Sequence, residues 1–530
     1  MTPPERLALE AIARTVSEIE PHPKDLLETA VVLEILGYSD SDARALGFRD
    51  VFDLADGVRG IVLPYAWDEP LREPPRARES GVRLYLSGLF YNVGWVIMLI
   101  ALFLGGQSLW AARDLPVSVG TAIGLGVVLG LVSTGGLQQF AAWKLIYYHL
   151  QGNRPLAKFV MERTLVFGGI IVVVLSAGFF AVAATVIGLP LEMAALGSLY
   201  LTLIGFYRLA MAPVYAMRKF VALIVISVLA LAAMFGIYRV LVFGGVDRPL
   251  AVIASQVAGL GVMLGTSVAS MNAFVFADRD EPRRPEDPPF YAAHELPKHV
   301  NPPRFWVLVV EGVPYLLYGT MYFVFLFADR LVSWFGGPGP FAINYNGPYQ
   351  IGVDLALLML VPITAVKFPL LYRFSEVLEK ISKAAPAVGP DLFTRGVAAF
   401  HNRLTLRVAA AAVSFAGVAF LFGPEIVGFA GGDSRSVLVF RIALVGVVLF
   451  SLYLSNAVFA MAFRRIGAMG MFLFVGAILN YGLSAFFAAN LGTNAAVLGF
   501  LLSSFFLAVA SFAYLLGLRR SPDYAYYSAF

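Results

Sequence analysis

Five ionisable residues interrupt stretches that are otherwise apolar: Glu311, Asp329, Arg330, Asp354 and Lys367. A charge at the centre of a bilayer costs roughly 2.5–3.5 kcal/mol on insertion scales, so such residues mark function or a specific partner. Glu311 and Asp329 are separated by about five helical turns and therefore share one helix face. Tyr315, Tyr318 and Tyr322 fall within roughly 40° of that face, and the whole stripe spans about 27 Å. An acid–tyrosine–acid stripe suits a wet cavity, where rings with hydroxyls can hold carbohydrate. It also suits a helix interface in which the tyrosines bond to neighbouring helices.

Asp329 and Arg330 are adjacent, so their side chains diverge by about 100° and pair poorly with each other. The run 339–346 reads as the turn of a helical hairpin. Folding the next helix back sets Asp354 at the depth of Arg330, and Lys367 within about two turns of Glu311. The expected pairs are Arg330–Asp354 and Glu311–Lys367, with Asp329 left facing the cavity. The competing arrangement has Asp329 and Arg330 reaching outward to the membrane interface, which Trp334 marks nearby. Gln138, Gln139 and Asn480 are secondary cleft candidates. Lys144, Gln256, Asn272, Asn456 and Tyr481 add softer polarity of the kind that bridges helices.

Other chemistry is not encoded. The chain lacks a GxxxxGK[ST] phosphate loop and an HExxH pair, so neither nucleotide-driven transport nor a zinc-hydrolase site is indicated. His22, His149, His294, His299 and His401 all fall at expected cytoplasmic ends or loops, and none has metal-ligand spacing. There is no cysteine, which excludes disulfides and thiol catalysis. Gly124, Gly126 and Gly130 are spaced like a dinucleotide loop but lie in an apolar span, where helix packing explains them, and Gly261 and Gly265 are read the same way. An enzyme is not expected, and neither a cofactor nor a bound metal.

The elements that must position these residues are membrane helices. The chain is 59% hydrophobic and only 14% charged, with a mean hydropathy of +0.76. A soluble fold cannot bury that much apolar surface, and period-two strand patterning for an outer-membrane barrel is absent. Twelve apolar spans are expected: 84–111, 116–150, 159–189, 191–214, 220–243, 250–277, 304–335, 348–378, 404–429, 437–463, 466–490 and 494–518. Lys and Arg alternate between rich and poor loops, which puts both chain ends in the cytoplasm by the positive-inside rule.

The organisation follows from composition shifts. Residues 1–80 read as a cytoplasmic helical region: a helix opened by Pro23 with Lys24-Asp25, with Leu26, Ala30 and Leu33 on one face and ending at Gly37, a short unit from Ser39, and a third over 48–54. That region is expected to be a small cap or partner-docking module, followed by a Pro/Arg-rich linker over 68–83. Residues 84–278 form an N-lobe of six spans and 304–520 a C-lobe of six. A proline-rich cytoplasmic linker at 279–303 joins the lobes, and 521–530 is a cytoplasmic tail. Six plus six is a transporter pattern.

Several short motifs carry a family likeness. They are Leu316-Leu317-Tyr318-Gly319, Phe327-Ala328-Asp329-Arg330 and Ser333-Trp334-Phe335 in the seventh span. The eighth adds Leu360-Val361-Pro362 and then Phe374-Ser375-Glu376-Val377. Elsewhere there are Leu137-Gln138, Tyr207-Arg208-Leu209, Arg218-Lys219, and Gly517-Leu518-Arg519-Arg520 with Tyr524. In order and spacing they resemble the multidrug/oligosaccharidyl-lipid/polysaccharide (MOP) exporter superfamily, most of all the PelG-type Pel exopolysaccharide transporters. The likeness covers residue 84 to the C-terminus. Residues 1–80 have no counterpart in it, and Arg330 stands where that family carries Lys, which keeps the charge but alters hydrogen-bond geometry.

The resemblance implies an all-α, MATE-like fold of two six-helix bundles around a central cleft. It implies an inner-membrane subunit that exports an exopolysaccharide for biofilm. The implied partners are the polysaccharide substrate, membrane lipids, a cytoplasmic glycosyltransferase and small membrane subunits, with no nucleic acid. Three other functions stay open: a flippase for lipid-linked oligosaccharide, a cation-coupled MATE-like antiporter, and a non-transporting scaffold that recruits a synthase through residues 1–80.

Overall fold

The computed structural model describes residues 3–19, 25–68, 81–91, 93–112, 115–150, 154–217, 219–276, 304–337, 339–367, 369–370, 374, 390–520 and 522. The expected proline-rich linker and all but one residue of the expected C-terminal tail lie outside them. The chain divides into two compact units, each considered by itself.

The first unit holds four helices: α1 (Pro3–Ile19), α2 (Leu26–Ile35), α3 (Asp40–Ala45) and α4 (Val51–Asp68). Helix α2 starts where the Asp25 carboxylate accepts the Glu28 N–H at 2.8 Å, and it stops before Gly37, whose φ of +93° only glycine adopts freely. Helix α3 opens with a capping box between Ser39 and Asp42. Those two short signals are as the sequence indicates. Helix α1 and the length of α4, which runs on to Asp68 rather than ending at 54, are not. Leu9, Val16, Leu33, Leu54 and Val58 bury into one core, so α1 and α4 exist because they close an apolar face over α2.

The second unit is a multi-pass membrane protein. Among the described residues, eleven helices are long and apolar enough to cross a bilayer, five before the break at 277–303 and six after it. The first expected span is the exception. It is built from α5 (Gly81–Tyr91) and α6 (Val93–Gly105), and its last part is a hairpin of β1 (Gln107–Ser108) against β2 (Ala111–Ala112). Gly106 enters that hairpin at φ +74°, which ends α6 and turns the chain back. The first expected span thus lies on α5 and α6, with its end drawn back from 111 to Gly105, and the other eleven expected spans each fall on one of the eleven long helices.

Helices α7 (Val117–Leu150), α8 (Arg154–Val182), α9 (Leu191–Ala216), α10 (Phe220–Phe243) and α11 (Arg248–Met271) complete the first half. The second half is α12 (Phe305–Phe335), α13 (Gly347–Leu357), α14 (Pro390–Leu421), α15 (Gly423–Phe429), α16 (Ser434–Ala462), α17 (Ile466–Leu491) and α18 (Val497–Leu518). Beyond a turn at 358–359, the span begun by α13 continues to Lys367. In the first half α7 packs on α9, and α10 on α11. In the second, α12 packs on α17, α16 on α18 and α13 on α16. The two halves meet where α7 crosses α12.

Small residues allow these contacts. A Cβ at Gly124 would enter the Trp334 ring, one at Gly126 the Tyr200 Cβ, and one at Gly130 the Ile204 side chain, which accounts for all three as packing positions. The same reading fails for Gly261 and Gly265, where an added Cβ meets nothing within 4 Å.

Candidate functional site: the contact between the halves

Helices α7 and α12 run antiparallel and touch along their length. At one end Lys144 Nζ lies 2.5 Å from Glu311 Oε2, with the lysine side chain 4% exposed and the glutamate 54%. One turn on, the Trp143 and Tyr315 rings stack at 4.2 Å with an interplanar angle of 12°. In the middle Gly135 faces Gly319, and Gly136 faces the Leu316 carbonyl and Thr320. A Cβ at Gly135 would lie 2.6 Å from the Gly319 carbonyl oxygen. At the far end Tyr345 N–H donates to Thr121 Oγ1 at 2.8 Å, and Trp334 packs beside Tyr345 at 5.4 Å. The contact is thus polar and aromatic at its ends and backbone-tight in its centre.

Glu311 is the first correction among the expected pairs. Its carboxylate is taken by Lys144 of α7, not by Lys367. The hairpin argument placed the partner on the next helix in sequence, but the crossing helix from the other half comes closer. Lys367 is buried, 5% exposed, on its own span. The pair Arg330–Asp354 does form, with Nη1 to Oδ1 at 2.8 Å. Gln350 Nε2 donates to the other Asp354 oxygen at 2.9 Å. The remaining Arg330 donors, Nε and Nη2, have no acceptor among the described residues, and the guanidinium lies 5.1 Å from the Phe327 ring.

Asp329 neither faces a cavity nor reaches outward; it is fully buried. Tyr349 donates its hydroxyl to Oδ2 at 2.5 Å, and Asn480 Nδ2 approaches Oδ1 at 3.3 Å while bonding the Phe325 carbonyl at 2.9 Å. Ser484 Oγ continues the chain to Asn480 Oδ1 and to the Ala496 carbonyl. A carboxylate cannot be buried without such donors, so Asp329 ties α12, α13 and α17 into one unit.

The tyrosine stripe divides. Tyr315 is half-buried against Trp143, Tyr322 is half-buried and stacked on Phe450 at 5.9 Å, and Tyr318 is buried at 6% exposure. Gln138 is buried in α7, and the Cγ of Gln139 approaches Gly319. The crossing therefore carries Glu311, Tyr315 and Gln139 in turn along its length, each against the opposite helix. Asp329, Arg330, Asp354 and Asn480 gather in the second half behind it.

Sequence reasoning missed three contributors, Trp143, Tyr349 and His401, and named Lys144 without its partner. Trp143 and Lys144 were legible as an aromatic–basic pair at a span end, followed by Tyr147 and Tyr148, but nothing in one helix says which partner it crosses. Tyr349 lay inside the expected eighth span, but nothing in a single tyrosine there marks the buried carboxylate it meets. His401 was assigned to a cytoplasmic end because its helix was expected from 404. Helix α14 starts at Pro390 instead, so His401 is wholly buried. Its Nε2 faces Asn456 Oδ1 at 3.2 Å and its Nδ1 faces Arg519 Nη1 at 3.2 Å, while Asn456 Nδ2 donates to Ser511 at 2.9 Å. Because the Asn456 amide nitrogen is engaged with Ser511, its oxygen is the acceptor for His401, so His401 carries its proton on Nε2. Asn456 is a helix bridge, as read. Gln256 instead pins the hairpin: Nε2 donates to the Ser108 carbonyl at 2.7 Å and Oε1 accepts from Tyr200 at 2.6 Å.

A cavity of about 380 Å³ opens at the Thr121 end of the crossing, away from the Lys144–Glu311 pair. Trp110 of the hairpin and Gly120 and Gly124 of α7 line it from the first half. Tyr345, Asn346, Arg435, Thr493 and Asn494 line it from the second. None of the expected cleft residues lines it.

No protein-family model and no curated protein matches the chain. Solved structures do. A MATE transporter in the bent conformation aligns with TM-score 0.55 at 12% identity, over 84% of this chain and 96% of that one. An outward-facing and an inward-facing multidrug resistance MATE family transporter of the MOP superfamily align with TM-scores 0.54 and 0.55. The first is 14% identical over 84% of this chain and 97% of that one, the second 12% identical over 82% and 94%. A Vibrio cholerae MATE transporter variant aligns at 14% identity and TM-score 0.54, over 84% of this chain and 98% of that one. Eleven long apolar helices in two halves, joined across α7 and α12, thus have the fold of the MATE transporters of the MOP superfamily.

Proposed function

We propose that this chain is a membrane exporter subunit that moves an exopolysaccharide of the Pel type across the cytoplasmic membrane, through a cleft between its two helical halves. The shared fold supports transport, and the motifs in α12 support the polysaccharide branch. One observation carries the substrate class: part-exposed Trp143, Tyr315 and Glu311 stand side by side where the halves meet, with the buried Lys144 ammonium on the Glu311 carboxylate. Flat rings flanked by charged hydrogen-bonding groups are the surface on which sugar rings stack and hydroxyls are held.

In this reading both chain ends lie in the cytoplasm. A glycosyltransferase there feeds the polymer, with small membrane subunits as further partners and residues 1–80 as the docking module. The test is secretion. Trp143→Leu and Tyr315→Leu should each cut secreted polymer several-fold at unchanged protein level in the membrane. Full secretion by the double variant would reject the polysaccharide reading.

The alternative is a cation-coupled antiporter of the same fold, or a lipid-linked oligosaccharide flippase. The buried Asp329 with Tyr349 and Asn480 favours the antiporter, because a satisfied membrane carboxylate can exchange a proton or cation. Co-purification from the native membrane separates the cases: a glycosyltransferase supports the exporter, a lipid-linked oligosaccharide the flippase.

A further inference from the structure

We infer that the exposed face of α2, in the first unit, docks a basic amphipathic helix of a cytoplasmic partner protein. That residues 1–80 dock a partner rests on the reading above. Which face does so, and the chemistry of what it takes, rest on the geometry of α2 and on charge.

Helix α2 is apolar on two sides. At about 100° per residue, Thr29, Ala30, Val32 and Leu33 share one side, and all four are buried. Ala30, Val32 and Leu33 belong to the core that α1 and α4 close. Leu27, Val31 and Ile35 fall on the opposite side, at i, i+4 and i+8, and are 60%, 44% and 39% exposed. A helix with one partnered face carries polar residues there instead. Three apolar side chains in one row of a ten-residue helix also differ from single exposed leucines, which any surface has. The spacing selects the shape of the occupant. A row at i, i+4 and i+8 is the ridge that seats in the groove of a second helix. A strand finds no unpaired backbone to join on a helix face.

Charge selects which helix. Glu34 borders the row on the Leu27 side and Glu28 on the Ile35 side, each within about 20° of it. The surrounding unit has the same sign. Residues 1–80 hold 16 acidic and 9 basic side chains, a formal charge of −7 in a chain whose total is +4. That sign disfavours two other occupants. The cytoplasmic leaflet is anionic and repels an acidic face. A second copy of the chain would set one carboxylate border against another. A helix with Leu or Ile on one stripe and Lys or Arg along its edges meets both the ridge and the carboxylates.

The experiment is photo-cross-linking of the full-length chain in its native membrane. Val31 is replaced by p-benzoylphenylalanine, and the adduct is sequenced by mass spectrometry. The expected adduct is to a cytoplasmic protein, on a segment with apolar residues at helical spacing and Lys or Arg beside them. Its yield should fall about tenfold with Leu27→Ser plus Ile35→Ser, which remove the ridge. It should fall about threefold with Glu28→Gln plus Glu34→Gln, which remove the border charge. Each double variant is checked for an unchanged melting temperature. An adduct to lipid, to a second copy, to another segment of the same chain or to an acidic segment would each overturn the proposal. So would no adduct, or a yield indifferent to both double variants. Secreted polymer is measured separately in cells lacking the chain. Polymer that persists there rejects the export reading and leaves the docking face standing, whereas a wrong adduct with polymer lost rejects the docking face alone.

Discussion

Lys144 and Glu311 are 167 positions apart in the chain and 2.5 Å apart in space. Their ion pair, with the Trp143–Tyr315 stack one turn away, closes one end of the contact between the two halves. If the halves rock against each other in the proposed export, these groups part in each cycle.

The chain has no native cysteine, so paired cysteines report only on themselves. Lys144→Cys with Glu311→Cys, bridged by oxidation or by a short thiol cross-linker, should abolish export, and reduction or omission of the linker should restore it. Undiminished export by the bridged protein would show that this end stays closed throughout. Without a bridge, Glu311→Gln should lower stability by about 1 kcal/mol. The glutamate is half-exposed and screened, but Lys144 loses its counter-charge in a buried setting.

The centre of the crossing should tolerate no added atom. A Cβ at Gly319 would lie 2.5 Å from the Gly135 carbonyl oxygen and 2.9 Å from Gln139 Cγ, with backbone on the near side that cannot move cheaply. Gly319→Ala should cost about 1–3 kcal/mol in thermal unfolding. Gly265→Ala, where the added group meets nothing, should be neutral or better in the same assay.

Asp329 should act through its network. Asp329→Ala strips the acceptor from the buried Tyr349 hydroxyl and should cost about 1–3 kcal/mol. Asp329→Asn keeps the shape and should recover most of that stability. If Asp329→Asn melts near the parent value yet exports no polymer, the carboxylate itself is needed for transport and the antiporter reading gains. If export follows melting temperature across both variants, the residue is structural.

The first unit should show an acid-labile cap. Hydrogen bonds from Ser39 to Asp42 hold that carboxyl below its ordinary value of 3.8. A folded value below the unfolded one means that the stabilisation is complete above about pH 4. It is lost as pH falls through the folded value. Hydrogen exchange of the α3 amides in the full chain should accelerate below about pH 4, and Asp42→Asn should remove that pH dependence. An unchanged profile in Asp42→Asn would mean that another group sets it.

Most span boundaries were legible because hydropathy and length are properties of one helix. Phe220–Phe243 emerges as read, and several others lie within a few residues. The start of α14 was missed because Asp391, Arg395, His401, Asn402 and Arg403 interrupt the apolar run there, so hydropathy begins the span only at 404. The end of the first span was placed six residues too far on because a hairpin turned by Gly106 is apolar enough to pass for helix. The pair Arg330–Asp354 could be derived because a hairpin fixes both partners by arithmetic along the chain. By itself the sequence determined that this is a helical membrane protein, with its rare buried charges gathered in α12 and the span that follows. Only the tertiary structure decided that Glu311 answers to Lys144, that Asp329 is sealed by Tyr349 and Asn480, and that a donor-lined cavity opens at the other end. Those contacts depend on which helix crosses which. Crossing is set by backbone-close packing at Gly135, Gly136 and Gly319, which no periodicity within one helix reveals.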